Sequence, residues 1–220
     1  MKCGICWRRC GENKIGIFRI GEMKVFVFIL VLLFGKAVGQ TNCTLRKNQD
    51  SIKVFTCHTD SSKFKSIIAE FSVHTSLTSL SDFVLDIPKY TQWQFNTVES
   101  KIIQKISSTE IIYRTVVEAP WPVTDRDMVV RIKSEFTDQK TLKIMTDSQS
   151  DIVPINEGLV RVPSSHAEWW VREKSKNYLE VKYTMQIDPG GSVPAWLVNW
   201  VCANAPYQSF INLKAKLEKK

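Results

Sequence analysis

From residue 98 onward, apolar side chains recur at every second position, run after run, with short polar connections between the runs. The alternation predicts strands over Val98–Ile106, Glu110–Glu118, Arg126–Phe136, Lys140–Asp147, Leu159–Arg172 and Tyr178–Ile187. Links such as Ser107-Ser108-Thr109 and Thr137-Asp138-Gln139 are too short for crossovers, so neighbouring strands should pair antiparallel. The last of these strands presents Leu179, Val181, Tyr183, Met185 and Ile187 to one face. Asp188-Pro189-Gly190-Gly191 then breaks it, since proline removes a donor and glycine accepts positive φ.

Beyond that break the period changes. Leu197, Val201, Ala205, Phe210, Leu213 and Leu217 form one helical stripe, with Ser192 as candidate cap and Pro194 in the first turn. Pro206 lies inside the stripe and predicts a kink or a division near Ala205. Earlier in the chain, Phe64–His74 alternates like a strand. Leu77, Leu80, Phe83, Val84 and Ile87 have helical spacing up to Pro88, and Tyr90–Trp93 should turn an aromatic side chain back onto the core. Strands, a short helix, a six-strand run and a long terminal helix give an α+β architecture in which a twisted sheet wraps the last helix.

Thr44–Lys47 and Ile52–Thr56 flank Gln49-Asp50-Ser51, which reads as a hairpin with a three-residue loop. Pairing Asn48 with Ile52 in constant register sets Cys43 opposite Cys57, and directly opposed cysteines can form a disulfide. Cys202, in the terminal helix, reads as a small buried hydrophobe.

The formal charge of +8 suggests nucleic acid only until it is divided. Residues 1–40 contribute +5 and the rest +3, with no basic run before the C-terminal tail, so no nucleic-acid partner is expected. Met23-Lys24, the apolar run Val25–Phe34 and Ala37-Val38-Gly39 match a signal peptide, and ten apolar residues are too few to span a bilayer. The chain therefore divides into 1–22, read as an over-extended start, 23–39, read as a signal peptide, and 40–220, read as one domain. On that reading Cys3, Cys6 and Cys10 fall outside the mature protein, which is exported to a periplasm or the extracellular space, where Cys43 and Cys57 would oxidise.

Chemistry is scarce. His58, His74 and His166 stand in no metal-binding spacing, and there is no nucleophile elbow or phosphate loop, so neither metal, cofactor nor catalytic residue is assigned. Asp125-Arg126-Asp127 places two carboxylates on one strand face and a guanidinium on the other, either as an ion-pair cluster or as a ligand anchor. Six tryptophans follow the leader and most are expected in the core. A sheet curled around one helix also tends to leave an apolar cavity.

Two segments carry a family resemblance. Ala119-Pro120-Trp121-Pro122-Val123-Thr124-Asp125-Arg126-Asp127 resembles the Pro-Trp-Pro-(x)2-Asp-Arg-Asp segment of START domains, lipid-transfer modules of the Bet v 1-like superfamily. Asp188-Pro189-Gly190-Gly191-Ser192-Val193-Pro194-Ala195-Trp196-Leu197-Val198-Asn199 is similar to that family's junction before its terminal helix. Ile52–Phe55, Asp86–Trp93 and Arg161-Val162 resemble shorter family segments, and the whole likeness covers roughly 43–217, nearest to small exported bacterial members. The first strand lacks the family's tryptophan, with Cys43-Thr44-Leu45 in its place.

The resemblance implies a helix-grip fold around a tunnel for a lipid or sterol-like molecule, with no catalysis. It implies structural roles for Pro120, Trp121, Pro122, Asp125, Arg126, Asp127, Asp188, Pro189, Gly190, Gly191, Pro194, Trp196 and Asn199. Leu197, Val201, Ala205 and Phe210 are the expected cavity lining, and Arg126 or Arg161 the expected anchor for a polar head. A lipid or other hydrophobic small molecule is the expected partner, with transient membrane contact and a monomeric state. A self-filled interaction module and a cyclase or aromatase on the same scaffold remain the alternatives.

Overall fold

The structure is a computed structural model and describes residues 42–59 and 62–218. The stretch expected to be an over-extended start, the stretch expected to be a signal peptide with its cleavage point, Trp7 and the first three cysteines lie outside the described residues.

Among the described residues, ten strands form one sheet. β1 (Asn42–Gln49), β2 (Ile52–Thr59) and β3 (Ser62–His74) lead to α1 (Leu77–Leu85) and a 3-10 helix (Ile87–Gln92). Next come β4 (Thr97–Lys105), β5 (Glu110–Val117), β6 (Arg126–Asp138), β7 (Thr141–Ser148), β8 (Val160–Arg161), β9 (Ser164–Ser175) and β10 (Tyr178–Asp188), and the helix α2 (Ala195–Leu217) closes the chain. The order across the sheet is β1-β2-β3-β10-β9-β7-β6-β5-β4. The expected antiparallel run is present, and β10 pairs with β3 to join it to the N-terminal strands. The curved sheet with its terminal helix is a helix-grip fold.

Three expectations change. Leu159–Arg172 is two strands, because Pro163 interrupts the ladder. Val160-Arg161 instead pairs parallel with Arg126-Asp127, and the antiparallel strand restarts at Ser164. The terminal helix runs undivided through Pro206, and its cap is Pro194 with no side-chain hydrogen bond, so Ser192 does not cap it. The first hairpin turns on two residues, not three. Asp50 and Ser51 both have positive φ, 51° and 60°, and Gln49 pairs with Ile52. This shifts the expected register by one residue, and a bulge between Leu45 and Lys47 shifts it back, so that Cys43 lies opposite Cys57 after all. The two are joined in a disulfide.

The core follows the alternation. Ile52, Val54, Ala69, Val73, Leu142, Ile144, Val171 and Leu179 are solvent-free, and Phe71 stacks on Phe210 of α2 with ring centroids 4.5 Å apart. Ser76 caps α1 by accepting from the Ser79 amide, and the buried hydroxyls of Ser81 and Ser134 meet at 2.7 Å, fixing α1 against the far part of β6. Trp93, at 2% exposure, and Tyr90 fold onto the core as expected. The other tryptophans mostly do not. Of the remaining five only Trp169 is buried, while Trp121, Trp170, Trp196 and Trp200 are exposed.

Candidate functional site

A pocket of about 830 Å³ lies between the sheet and α2. Its walls follow strand parity: Tyr113, Thr115 and Val117 come from β5, Arg126, Met128, Val130 and Ile132 from β6, and Tyr183, Met185 and Ile187 from β10. From Arg126 to Ile132 the strand rises about 20 Å, roughly the length of a helix between Leu197 and Phe210. Those two helical residues, with Val201 and Ala205 between them, all line the pocket. At one end the lining includes the exposed Glu118 and Pro163 and the half-exposed Pro120, Val123 and Val193. This is the mouth. At the other end Val84 of α1, Tyr90, Trp93 and Tyr113 are buried.

The motif residues build the mouth. Pro120 lines it, while Trp121 is 91% exposed and Pro122 follows a cis peptide bond. The Asp125 carboxylate accepts from the Ala119 amide at 2.9 Å, and its carbonyl accepts from Val160 at 3.0 Å, holding the corner closed. At the opposite lip the Asp188 carboxylate accepts from Gly190 at 3.0 Å. Gly190 has φ of 65°, and a Cβ there would stand 2.8 Å from the Arg161 carbonyl oxygen, so both conformation and space demand glycine. Gly191 and Pro189 complete the lip. Asn199 accepts from the Lys65 ammonium at 2.8 Å, tying the first turns of α2 to β3. Trp196, expected to pin the helix, is 62% exposed.

The two candidate anchors separate. Arg126 faces the mouth, donating to the Thr124 carbonyl and, at 3.4 Å, to that of Gly190; burial lowers its pKa, and Asp125 opposes that shift. Arg161 lies on the other face of β6. Its guanidinium donates to Asp127 at 2.9 Å, to the Val153 and Pro154 carbonyls at 3.1 Å each, and to that of Ser150. Asp127 has no solvent exposure and accepts from Arg114 Nε at 3.0 Å on its other oxygen. Arg114, which no sequence pattern singled out, thus completes a buried Arg–Asp–Arg cluster behind the pocket wall. It also reaches Glu99 at 3.1 Å.

The inner end is aromatic. Tyr90 packs edge-on against Trp93 and Tyr113 with centroids 5.2 and 5.3 Å away, and Trp169, Tyr183 and Phe210 contact one another at 5.2 Å. Burial drives the phenol pKa values of Tyr90, Tyr113 and Tyr183 well above the ordinary tyrosine value, so all three are neutral hydroxyls. Sequence alternation marked Tyr183 as inward-facing; the joining of six aromatics from five separate stretches had no local signal.

Comparison with known proteins agrees with this geometry. An uncharacterized protein of Pseudomonas aeruginosa is 27% identical over 205 residues, covering 93% of this chain and 99% of that one. The phosphatidylcholine transfer protein of Bos taurus is 30% identical over 129 residues, covering 57% of this chain and 60% of that one. A crystal structure of a STAR-related lipid transfer protein fragment from Xanthomonas axonopodis superposes with a TM-score of 0.73 at 25% identity, over 80% of this chain and 99% of that one. The START domain family model matches residues 44–214. The chain belongs to the START domain family.

Proposed function

We propose that this protein binds a lipid or comparable hydrophobic small molecule in the pocket under α2 and carries it without chemical change. The observation that carries the reading is the pocket itself: about 830 Å³ of largely apolar wall, a volume suited to a small-molecule ligand and unfilled by the chain's own side chains. This weighs against a self-filled core. The cyclase reading loses support from the inner wall, which carries neutral tyrosines and tryptophans and no carboxylate or histidine among the described lining residues. Relatives named for phosphatidylcholine transfer and STAR-related lipid transfer point the same way.

Transfer requires a donor surface. Trp121 and Trp196 stand exposed on the two lips, a setting in which indole rings enter an interfacial layer while their N–H groups remain hydrated. We place the membrane contact there. Export is supported by the Cys43–Cys57 disulfide and by the leader pattern in the sequence.

Uptake of a fluorescent fatty acid or sterol should saturate at one site per chain. Val201→Trp, which fills the middle of the pocket, should weaken uptake at least tenfold with little loss of fold. Uptake unchanged in that variant would place the ligand elsewhere.

A further inference from the structure

A second pocket, of about 410 Å³, lies between α2 and the segment that leads from the 3-10 helix into β4. Steps of four residues along α2 put Trp200, Asn204, Gln208 and Asn212 in one row, and all four line it. The other wall supplies Gln92, Gln94 and Asn96. The walls are tied together where the Phe95 amide donates to the Ser209 hydroxyl at 3.0 Å and Asn212 Nδ2 donates to the Trp93 carbonyl at 3.2 Å. Six amide side chains thus converge on one pocket, with no charged residue among the described lining residues. Asn96 and Asn204 likewise donate to backbone carbonyls, those of Glu118 at 3.4 Å and Trp200 at 2.8 Å. Each of these three asparagines therefore keeps one N–H and its side-chain oxygen for another partner. Gln208 and Trp200 are exposed, and the Trp200 ring stands beside that of Phe95 with centroids 5.9 Å apart. Trp93, Gln94, Phe95 and Thr97 line this pocket and the first one, so they form the partition between the two. The α2 row from Trp200 to Asn212 belongs to the second alone.

We infer that this second pocket is a binding site for a neutral sugar, stacked on Trp200 and hydrogen-bonded by the amides around it. A carboxamide offers a donor and an acceptor side by side without charge, which is the complement of neighbouring ring hydroxyls. A pyranose also has an apolar face of C–H groups, and the exposed indole is a flat partner for it. The volume lies within the range of small-molecule sites, about 300–1,000 Å³. Other chemistries match less well. A phosphate or carboxylate would meet no cation in the lining; Lys216 only touches the rim, donating to Gln92 Oε1 at 3.4 Å. An acyl chain would cover six amides and leave them without partners. A peptide backbone could satisfy the same amides, but the pocket has no apolar recess to seat side chains. The α2 row that holds the site begins one step earlier with Trp196, exposed at the lip of the first pocket. The sugar can therefore be a free saccharide or the head group of a glycolipid in a membrane, and the ring hydroxyls are the chemistry common to both.

The test titrates the full chain, by tryptophan fluorescence and calorimetry, with methyl glucoside, methyl galactoside, methyl mannoside, N-acetylglucosamine, glucose 6-phosphate, glucuronate and a tetraglutamine peptide. Flotation with dioleoylphosphatidylcholine vesicles, with and without glucosyl or galactosyl diacylglycerol, forms the second arm. At least one neutral sugar should bind more tightly than both charged derivatives, or the sugar-bearing vesicles should retain more protein than the plain ones. Binding of the free glycosides identifies a saccharide site, and retention by the sugar-bearing vesicles alone identifies a head-group site. Trp200→Ala removes the stacking face and should weaken sugar binding about tenfold. Gln208→Ala, at an exposed position that spares the fold, should weaken it about threefold. Neither residue lines the first pocket, so fatty-acid uptake should be unchanged in both variants. Failure of every neutral sugar and of both sugar-bearing vesicles to bind overturns the inference. So does equal binding of the charged derivatives, or sugar binding that ignores both variants. Tighter binding of tetraglutamine overturns it in favour of a peptide groove, and loss of fatty-acid uptake in step with sugar binding overturns the separateness of the site.

Discussion

Asp127 shows how much of this fold rests on single residues. Its side chain is solvent-free and joins Arg114 on β5 to Arg161 on β8, and Arg161 in turn gathers three carbonyls of the 150–154 segment. Asp127→Asn leaves the buried Arg161 guanidinium without a counter-charge and Arg114 with only the exposed Glu99. It should lower unfolding stability by about 3–5 kcal/mol, read from urea or thermal denaturation. The three inner tyrosines give a pH signature. Their folded pKa values are raised above the unfolded value of about 10, so they favour the folded state fully below that pH, and the contribution is lost as pH rises through the folded values. Stability should hold from neutral pH to about 10 and fall above it, and the phenol absorbance of three tyrosines should ionise only with unfolding. Sequence parity alone placed Arg126 and Asp127 on opposite faces, which the structure bears out. It could not place Arg161, whose facing depends on a two-residue parallel pairing created by Pro163. Nor could it tell exposed tryptophans from buried ones, since hydrophobicity is the same in a core and on a pocket lip.

At the scale of elements, the hairpin and the junction before α2 are the informative cases. Cys43 and Cys57 pair as constant register predicts although the turn is one residue shorter than expected, because the bulge between Leu45 and Lys47 compensates. A bulge has no sequence signature strong enough to be read in advance. The disulfide closes a loop of sequence separation 14 at an edge strand, and Cys43→Ser should cost about 3 kcal/mol. Reduction should add the mass of two hydrogens to the native protein; an unchanged mass would mean that the pair is not bonded. The junction offers a matched comparison. Gly190 and Gly158 both have positive φ, but a Cβ at Gly190 would strike backbone, whereas at Gly158 it meets nothing within 4 Å. Gly158→Ala should therefore cost only the conformational term, about 1–2 kcal/mol, and Gly190→Ala clearly more in the same denaturation assay. The Asp-Pro-Gly-Gly stretch was legible from the sequence because glycine and proline encode backbone shape directly. The uninterrupted passage of α2 through Pro206 was not, since local propensity favours a break and contacts along the helix override it. Those contacts include Ser209 with the Phe95 amide at 3.0 Å and Asn212 with the Trp93 carbonyl at 3.2 Å.

For the whole molecule, the pocket wall was legible in advance wherever it follows strand or helix period, as with Leu197, Val201, Ala205 and Phe210. Its division into a charged mouth and a neutral aromatic inner end arises from residues far apart in the chain and became visible only in three dimensions. The exposed Trp121 and Trp196 belong to the same level of description, because they matter through their common position at the lips. Replacing both with alanine should slow lipid exchange between vesicles about tenfold while leaving equilibrium binding in solution within twofold; equal slowing of the two would deny them a membrane role. Lipid carriage is tested most simply by native mass spectrometry of protein purified without detergent, with organic extraction of whatever it carries. One lipid per chain is expected, or rapid acquisition of one from mixed vesicles. A mass that remains that of the bare polypeptide after exposure to every lipid class would contradict it.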